Sequence, residues 1–147
     1  MIEAPRIVRI AEQLTAVIPF AIPRADIAKV MGPGIGELME VVKAQGIGPT
    51  GPWFSHHHQM DPHIFDFEIG VPVSAAVKPR GRVKESRLPG GRVARAMYTG
   101  GYEGLGAAWG AFEKWLVTNG HAPARNLWEC YVTDDVTELN RPVLGGE

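Results

Sequence analysis

Residues 102–132 indicate the fold, and they read YEGLGAAWGAFEKWLVTNGHAPARNLWECYV. Their first part predicts an amphipathic helix over about residues 102–119, because its apolar side chains recur near helical spacing. These side chains are Leu105, Trp109, Phe112, Trp115 and Leu116. Gly120 then supplies the residue type that best accepts the left-handed conformation after a helix. Beyond the following turn, residues 127–132 predict a buried aromatic strand with Glu129 in its middle.

The same order of elements occurs earlier in the chain. A helical pattern over about residues 24–45 ends at Gly46, and residues 53–58, WFSHHH, predict a second aromatic strand. Gly46 and Gly120 are 74 positions apart (120 − 46). The same offset relates four further pairs: Pro49 to Pro123, Met31 to Leu105, Leu38 to Phe112 and Leu14 to Leu88. This matched order and spacing indicate a duplication, although the two halves share little sequence identity.

Further strands open and close each half. The closing strands carry Glu-x-x-x-Pro-Val at residues 68–73 and 138–143, with an offset of 70 (138 − 68). Two opening strands are expected: residues 7–18 and 83–98. Each is expected to be bent or split, the first at Pro19 and the second at residues 88–91, LPGG.

Two strand–helix–strand–strand units therefore fill the chain, as pseudo-repeats of about residues 5–74 and 82–145. Neither unit would bury its apolar face well alone, so residues 1–147 are expected to form one domain with pseudo-twofold symmetry. The predicted fold class is α+β, with two helices on a mostly antiparallel, curved sheet.

Composition excludes several classes of protein. The formal net charge is −1, with acidic and basic residues interspersed, whereas nucleic-acid-binding surfaces normally show clustered basic residues. The one dense basic stretch, residues 78–84, contains Pro and Gly and is interpreted as an exposed linker. No apolar run approaches the ~20 residues that span a bilayer, and the N-terminus lacks the pattern of a signal peptide. A cytoplasmic protein is therefore expected.

Glu129 is the first candidate for a functional residue, because an ionised carboxylate in a buried strand is costly unless a partner compensates it. Alternate strand residues share a face, so Glu129 and Tyr131 point to the same side. The 74-residue offset puts Ser55 and His57 at the matching places in the first half. We therefore expect Glu129, Tyr131 and His57 to meet at one central groove.

Other aromatic residues are expected around this groove. Tyr98 and Tyr102 flank a glycine-rich helix start, which places them at the groove edge. Trp109 is ambiguous between the core and the groove wall. Two simpler interpretations stay open: Glu129 faces solvent on an edge strand, and the tyrosines are ordinary amphipathic core residues.

Three consecutive histidines invite a metal site. Strand alternation lets only His56 and His58 chelate together, with His63 as a further ligand, and no H-E-x-x-H motif or Cys/His cluster is present. A groove-lining role is favoured, and no metal or cofactor is expected. Cys130 is the only cysteine, which excludes an intrachain disulfide, and it is interpreted as a small buried hydrophobe facing away from Glu129.

Five segments point together to a known family: GPWF at residues 51–54, FDFEIGVPV at 65–73, LPGG at 88–91, YTGGY at 98–102 and WECY at 128–131. The chain resembles the GyrI-like effector-binding domain, a bacterial ligand-binding module that is also fused to AraC-type and MerR-type transcription regulators. The resemblance covers nearly the whole chain in the right order, and the internal pseudo-repeat is a hallmark of the family. It implies a stand-alone effector-binding domain.

In that family the glutamate that matches Glu129 lies in a central aromatic pocket, and in multidrug-sensing members it attracts flat, lipophilic, often cationic compounds. The resemblance therefore implies a small-molecule-binding protein that sequesters or senses such a ligand. Eight ligand-binding residues are expected: Trp53, Ser55, His57, Tyr98, Tyr102, Trp109, Glu129 and Tyr131.

Other functions stay open. Some stand-alone relatives hydrolyse reactive cyclopropanoid compounds, which makes Glu129 and Tyr131 candidate catalytic residues that activate water. Other relatives inhibit DNA gyrase by contact, so a protein partner is an alternative, as is a homodimer. The related SOUL-type haem-binding fold would use His57 or His58 as an axial ligand.

The sequence departs from the family pattern at two points. His57 stands where many relatives carry tyrosine, which predicts a more polar or pH-sensitive pocket. The 147 residues contain no helix-turn-helix, so direct contact with nucleic acid is not expected, and neither is membrane binding.

Overall fold

Two helices pack on one face of a curled antiparallel sheet in the computed structural model, which describes residues 2–23, 26–60 and 63–144. The helices are α1 (Ile27–Ala44) and α2 (Leu105–Thr118), and a 3-10 turn (Tyr102–Gly104) precedes α2. The strands are β1 (Arg6–Ile10), β2 (Gln13–Pro23), β3 (Phe54–Met60), β4 (Ile64–Pro72), β5 (Lys84–Leu88), β6 (Gly91–Thr99), β7 (Ala122–Pro123), β8 (Leu127–Tyr131) and β9 (Val136–Leu144). The predicted α+β class is confirmed. Position 24, where the first helix was expected to begin, and position 145 lie outside the described residues.

The order of the strands places β3 and β8 at the centre of the sheet. In the described part of the chain the order is β1-β6-β9-β8-β3-β4-β2-β5, with β7 added beside β9. All of these pairs are antiparallel. The two edge strands, β1 and β5, each pair with the long opening strand of the other half. The halves are therefore interlocked through their opening strands.

Each opening strand is split in two. The second breaks between β5 and β6 at Pro89 and Gly90, as the sequence predicts. The first breaks at Ala11 and Glu12, so the expected break at Pro19 is wrong. Pro19 lies within β2, beyond Val17, the last residue that pairs with β5. Its missing N–H therefore costs no hydrogen bond on that side of the strand.

Both helices end in the same way. Gly46 has φ 68° and Gly120 has φ 76°, so both predicted left-handed caps are confirmed. The next residue closes a matching backbone hydrogen bond in each half: Ile47 N–H to Val42 oxygen at 3.3 Å, and His121 N–H to Leu116 oxygen at 2.9 Å. No helix in the described part of the chain is both long enough and apolar enough to span a membrane.

Two apolar clusters join the helices to the sheet. Leu38 of α1 and Phe112 of α2, which are 74 positions apart (112 − 38), are both fully buried at the centres of these clusters. Small residues let each helix approach the sheet. A Cβ atom added to Gly34 would lie 2.6 Å from Ile69 Cδ1, and the matching residue in α2 is the buried Ala108. α1 thus packs against β2 and β4, and α2 against β6 and β9, on either side of the central strands β3 and β8.

The β3–β8 pair locates the pseudo-twofold axis. Ser55 lies opposite Glu129 in this pair. These two residues are themselves 74 positions apart (129 − 55), so each is the counterpart of the other. The axis of the duplication therefore passes between Ser55 and Glu129.

The face of the sheet away from the helices has its own apolar cluster. Its buried members are Val17, Phe54, Leu88, Val93 and Trp128. The two breaks in the opening strands meet over this face. A Cβ atom added to Gly90 would lie 2.7 Å from the backbone nitrogen of Glu12. We refer to this side, which also carries Cys130 and Glu138, as the far face.

Candidate functional site

Glu129 lies on the helix side of the sheet at its centre. Its strand, β8, is flanked by β3 and β9, so it is not an edge strand, and Glu129 is only 9% exposed. The indole Nε1 of Trp109 donates a hydrogen bond to its Oε2 at 2.6 Å. The hydroxyl of Tyr131 donates to its Oε1 at 2.6 Å. Each carboxylate oxygen therefore has one neutral donor.

Tyr131 connects Glu129 to the first half of the chain. Its hydroxyl lies 2.7 Å from the Ser55 hydroxyl. Because the Tyr131 proton is directed at Glu129, Ser55 is the donor in this contact. Burial raises the pKa of Tyr131 well above its usual value, and the adjacent Glu129 carboxylate raises it further. The phenol therefore stays protonated and acts as a hydrogen-bond donor.

Aromatic rings surround Tyr131. The Trp53 ring centroid lies 4.1 Å from that of Tyr131. Tyr102 meets Tyr131 edge-on with centroids 5.9 Å apart, and it is 53% exposed. Trp109 also packs against Phe112 of the α2 core, at 5.6 Å. Trp109 thus belongs both to the core and to the wall of the site, which resolves the ambiguity in the sequence.

Tyr98 supports this wall from within. It is 5% exposed, and its hydroxyl donates to the carbonyl oxygen of Gly101 at 2.7 Å. A Cβ atom added to Gly104 would clash with the same hydroxyl, so glycine is needed there for the turn to lie against Tyr98. The structure therefore places Tyr98 under the turn that carries Tyr102.

His57 occupies the counterpart position of Tyr131, since 57 + 74 is 131. It is 7% exposed, and its ring stacks on Phe67 with centroids 5.1 Å apart. Phe67 is part of the α1 cluster. The structure thus brings Trp53, Ser55, Tyr102, Trp109, Glu129 and Tyr131 together. His57 lies on the same face, beside the α1 core.

The hydrogen-bond partners of Glu129 are neutral dipoles. Its hydrogen-bond partners are an indole and a phenol, and none of the ion pairs found within residues 2–23, 26–60 and 63–144 includes it. Neutral donors stabilise a buried carboxylate but leave its negative charge in place. The site therefore presents an aromatic surface around one uncompensated negative charge.

The sequence does not predict the bond between Trp109 and Glu129. The spacing did contain a signal, because Trp109 lies seven residues after Tyr102, the distance that returns to the same side of a helix. With Tyr102 at the groove edge, that spacing would have favoured the groove wall over the core for Trp109, without identifying its partner.

His56 and His58 face the other side of the sheet from Glu129. The rings of His56 and His58 lie 5.0 Å apart, and His56 accepts a hydrogen bond from Asn126 at 3.0 Å. Burial, together with smaller contributions from the neighbouring His58 and His57, lowers the pKa of His56 to about 4. Among the residues that the structure describes, no group of three or more His, Cys, Asp or Glu side chains is arranged to hold a metal ion.

The family follows from a comparison with family models. The model of the GyrI-like small molecule binding domain matches residues 3–142. This chain belongs to the GyrI-like family. No curated protein matches the chain. The GyrI-like resemblance of the sequence is thereby confirmed, and with it a small-molecule-binding domain.

Solved structures share the GyrI-like fold. The EcmrR C-terminal domain has a TM-score of 0.81 at 20% identity, covering 97% of this chain and 98% of that domain. In the EcmrR–DNA complex, the match at 22% identity and TM-score 0.81 covers 97% of this chain and 58% of EcmrR, so this chain spans little more than half of EcmrR.

Two further structures match with lower scores. SAV2435 bound to tetraphenylphosphonium has a TM-score of 0.65 at 9% identity, covering 97% of this chain and 95% of SAV2435. A hydrolase from Listeria innocua has a TM-score of 0.65 at 13% identity, covering 95% of this chain and 91% of the hydrolase. At these identities, the likeness establishes the fold.

Proposed function

We propose that this GyrI-like domain binds lipophilic organic cations, with Glu129 as the counter-charge. The observation that carries the proposal is the buried carboxylate of Glu129, which is hydrogen-bonded by Trp109 and Tyr131 but has no cationic partner among the described residues. A cationic ligand supplies the missing opposite charge. The low dielectric constant of the buried site destabilises an unpaired carboxylate, but it strengthens the attraction between that carboxylate and a bound cation.

The walls of the site favour a large, soft cation. Trp53, Tyr102 and Trp109 offer aromatic surface within reach of Glu129 and Tyr131. Aromatic faces attract cations and also bury apolar groups, so they suit a compound whose charge is spread over an apolar body. SAV2435, which has the same fold, is bound to tetraphenylphosphonium, a cation of this class. That observation supports the proposal.

Tyr102 is the part of the wall nearest to solvent. It is 53% exposed, whereas Glu129 is 9% exposed. Its 3-10 turn begins after Gly100 and Gly101 and is held by the Tyr98 hydroxyl. We propose that a ligand enters between Tyr102 and Trp53, moving the Tyr102 ring from Tyr131 and leaving the Trp109 bond to Glu129 intact.

Calorimetric titration with tetraphenylphosphonium chloride tests this function. Glu129→Gln keeps the size of the side chain and removes its charge. We expect the variant to bind at least ~30-fold more weakly than the wild type, equivalent to about 2 kcal/mol. Glu113→Gln, which removes an exposed carboxylate from α2, is the matched control and should bind like the wild type. Equal affinity of the wild type and Glu129→Gln would overturn the proposal.

A second candidate function is hydrolysis of a cyclopropanoid compound. The observation that favours it is the chain of hydrogen bonds from Ser55 through Tyr131 to Glu129, at 2.7 and 2.6 Å. Glu129 would accept a proton from a water molecule while the water oxygen forms a bond to a ring carbon. Tyr131 would protonate the other ring carbon, which is released when the ring bond breaks. Ser55 would orient the phenol.

Mass spectrometry of the product in ¹⁸O-labelled water tests this reaction. Turnover requires one labelled oxygen per product molecule and should be lost in both Glu129→Gln and Tyr131→Phe. The same sample should first be shown to bind tetraphenylphosphonium, which establishes that the site is intact. If that sample then gives no labelled product, binding is the function of the site.

A further inference from the structure

The far face of the sheet contains two cavities that are separate from Glu129. They have volumes of about 330 and 310 Å³. Gln13, Leu88, Cys130 and Glu138 line both of them, so the two cavities adjoin as one groove. We refer to this space as the far-face groove. Each of its two cavities lies at the small end of the range of volumes for ligand pockets in proteins.

Strand alternation separates the groove from the Glu129 site. Cys130 follows Glu129 in β8 and points to the opposite face. The groove is covered by the Ala11–Glu12 connection, which also lines its first cavity. The body of the sheet therefore lies between the two sites. The far-face groove is therefore distinct from the Glu129 site. It is lined by Glu138, the first residue of the second Glu-x-x-x-Pro-Val motif.

Glu138 is the one charged side chain common to both cavities. Its Oε1 accepts a hydrogen bond from Asn140 Nδ2 at 3.1 Å and lies 3.5 Å from Arg95 Nε. Arg95 makes its shorter bond to the amide oxygen of Asn140, at 2.8 Å. The Cys130 thiol is a further hydrogen-bond partner of the Glu138 side chain. A carboxylate has about four acceptor positions, so Glu138 keeps capacity for another donor in the groove.

Besides Glu138, the wall has two charged residues, Glu12 and Arg95, both at the first cavity, and most of its other residues are apolar. Leu88 and Trp128 are almost fully buried beside the first cavity, and Phe54 lines the second. Burial raises the pKa of Cys130 to about 12, with a further contribution from Glu138, so its thiol carries no charge at neutral pH. Two carboxylates against one guanidinium, beside an apolar wall, favour a ligand that has a compact ammonium group at one end of an apolar body.

We propose that the far-face groove is a second binding site, for a small aromatic or alkyl primary amine. The ammonium group donates to the Glu138 carboxylate, and the apolar body packs against Leu88 and Trp128. A primary ammonium is a compact donor that can reach a single oxygen, whereas a four-ring phosphonium carries no N–H to donate. The two sites of the domain therefore differ in the class of cation that they accept.

Indole resonances distinguish the two sites by NMR. Trp109 donates to Glu129 on the helix side, and Trp128 lines the far-face groove. In ¹⁵N-labelled protein, with indole signals assigned from Trp→Phe variants, phenethylamine should shift the Trp128 signal in a saturable way. The shift should persist in Glu129→Gln and weaken at least tenfold in apparent affinity in Glu138→Gln. A shift of Trp109 in place of Trp128 would overturn the proposal.

An anionic analogue and a control variant test whether the binding depends on the charge of the ligand and on Glu138. Hydrocinnamate has a similar ring and chain with a carboxylate in place of the ammonium, and it should not shift Trp128. Saturable binding of hydrocinnamate in place of phenethylamine would assign the groove to anions through Arg95 and contradict the proposal. Glu85→Gln removes a carboxylate outside the groove and should leave the titration unchanged.

A steric variant covers the case in which Glu138→Gln does not fold. Ala11 is exposed and lines the first cavity, so Ala11→Phe should fill it without touching the carboxylate. Circular dichroism shows whether each variant is folded. Folded Ala11→Phe should lose the Trp128 shift, and an unchanged titration would contradict the proposed position of the amine.

Discussion

The two halves of the molecule share a scaffold and differ in chemistry. Both have a helix that ends at a left-handed glycine, and both place a strand beside the pseudo-twofold axis. At equivalent positions, however, the first half carries Ser55 and His57, and the second carries Glu129 and Tyr131. Two glutamates directly opposite each other in the β3–β8 pair would repel. The duplication therefore positions one carboxylate at the centre, and the other half supplies a neutral donor for its partner Tyr131.

This comparison predicts equal effects where the halves are equivalent in packing. Leu38 and Phe112 are fully buried counterparts in the two helices. Leu38→Ala and Phe112→Ala should each lower the free energy of unfolding by about 3–5 kcal/mol, because both leave a cavity in a closed core. Urea denaturation followed by circular dichroism measures the change. A loss below about 1 kcal/mol in one half would show that the halves are not equivalent in packing.

His56 and Cys130 are counterparts on the far face, and only His56 titrates in the acid range. Its pKa is about 4, below the value near 6.5 of an unfolded histidine. The unfolded chain therefore binds a proton between about pH 6.5 and 4 that the folded chain does not. Stability from this group is complete above pH 6.5 and is lost as the pH falls toward 4, by up to about 3 kcal/mol.

Urea denaturation at a series of pH values checks this dependence. His56→Gln should lose the part of the pH dependence that falls between pH 6.5 and 4, since glutamine does not titrate. His63→Gln removes an exposed histidine and is the control, which should retain the slope of the wild type. An identical slope in His56→Gln would show that another group is responsible.

The helix caps are expected to give the smallest effect and to be equal in the two halves. Gly46 and Gly120 have φ values of 68° and 76°, where a side chain is strained. Gly46→Ala and Gly120→Ala should each cost about 1 kcal/mol in the free energy of unfolding. The cost should be measured by urea denaturation, and an unequal cost would mean that one helix end relaxes when the other cannot.

The sequence predicts those parts of the fold that depend on local patterns. Helical spacing and the glycines at 46 and 120 locate both helix ends, and the offset between halves makes Ser55 the counterpart of Glu129; that the two pair directly is seen only in the structure. The break in the first opening strand was assigned to Pro19 because proline usually interrupts a central strand. The prediction failed because Pro19 has a strand neighbour on one side only: it pairs with Glu68 of β4, and β5 ends before reaching it, which depends on tertiary pairing.

The candidate site depends more on contacts between distant residues. Alternation predicts that Glu129 and Tyr131 share a face, and the structure adds the indole of Trp109 as the partner of Glu129. The stacking of His57 on Phe67 depends on how β3 and β4 pair, and sequence spacing alone does not give that register. The far-face groove arises where two strand breaks meet, which no local pattern contains.

The central claim is that Glu129 binds its ligand through charge. A pair of probes tests it most directly: tetraphenylphosphonium, and triphenylphosphine oxide as a neutral aromatic analogue, titrated calorimetrically into the wild type and Glu129→Gln. The account predicts that the substitution weakens the cation at least ~30-fold, or about 2 kcal/mol, and changes the affinity for the neutral compound by less than about threefold. Equal losses for both probes would contradict it, because Glu129 would then act only by shaping the site.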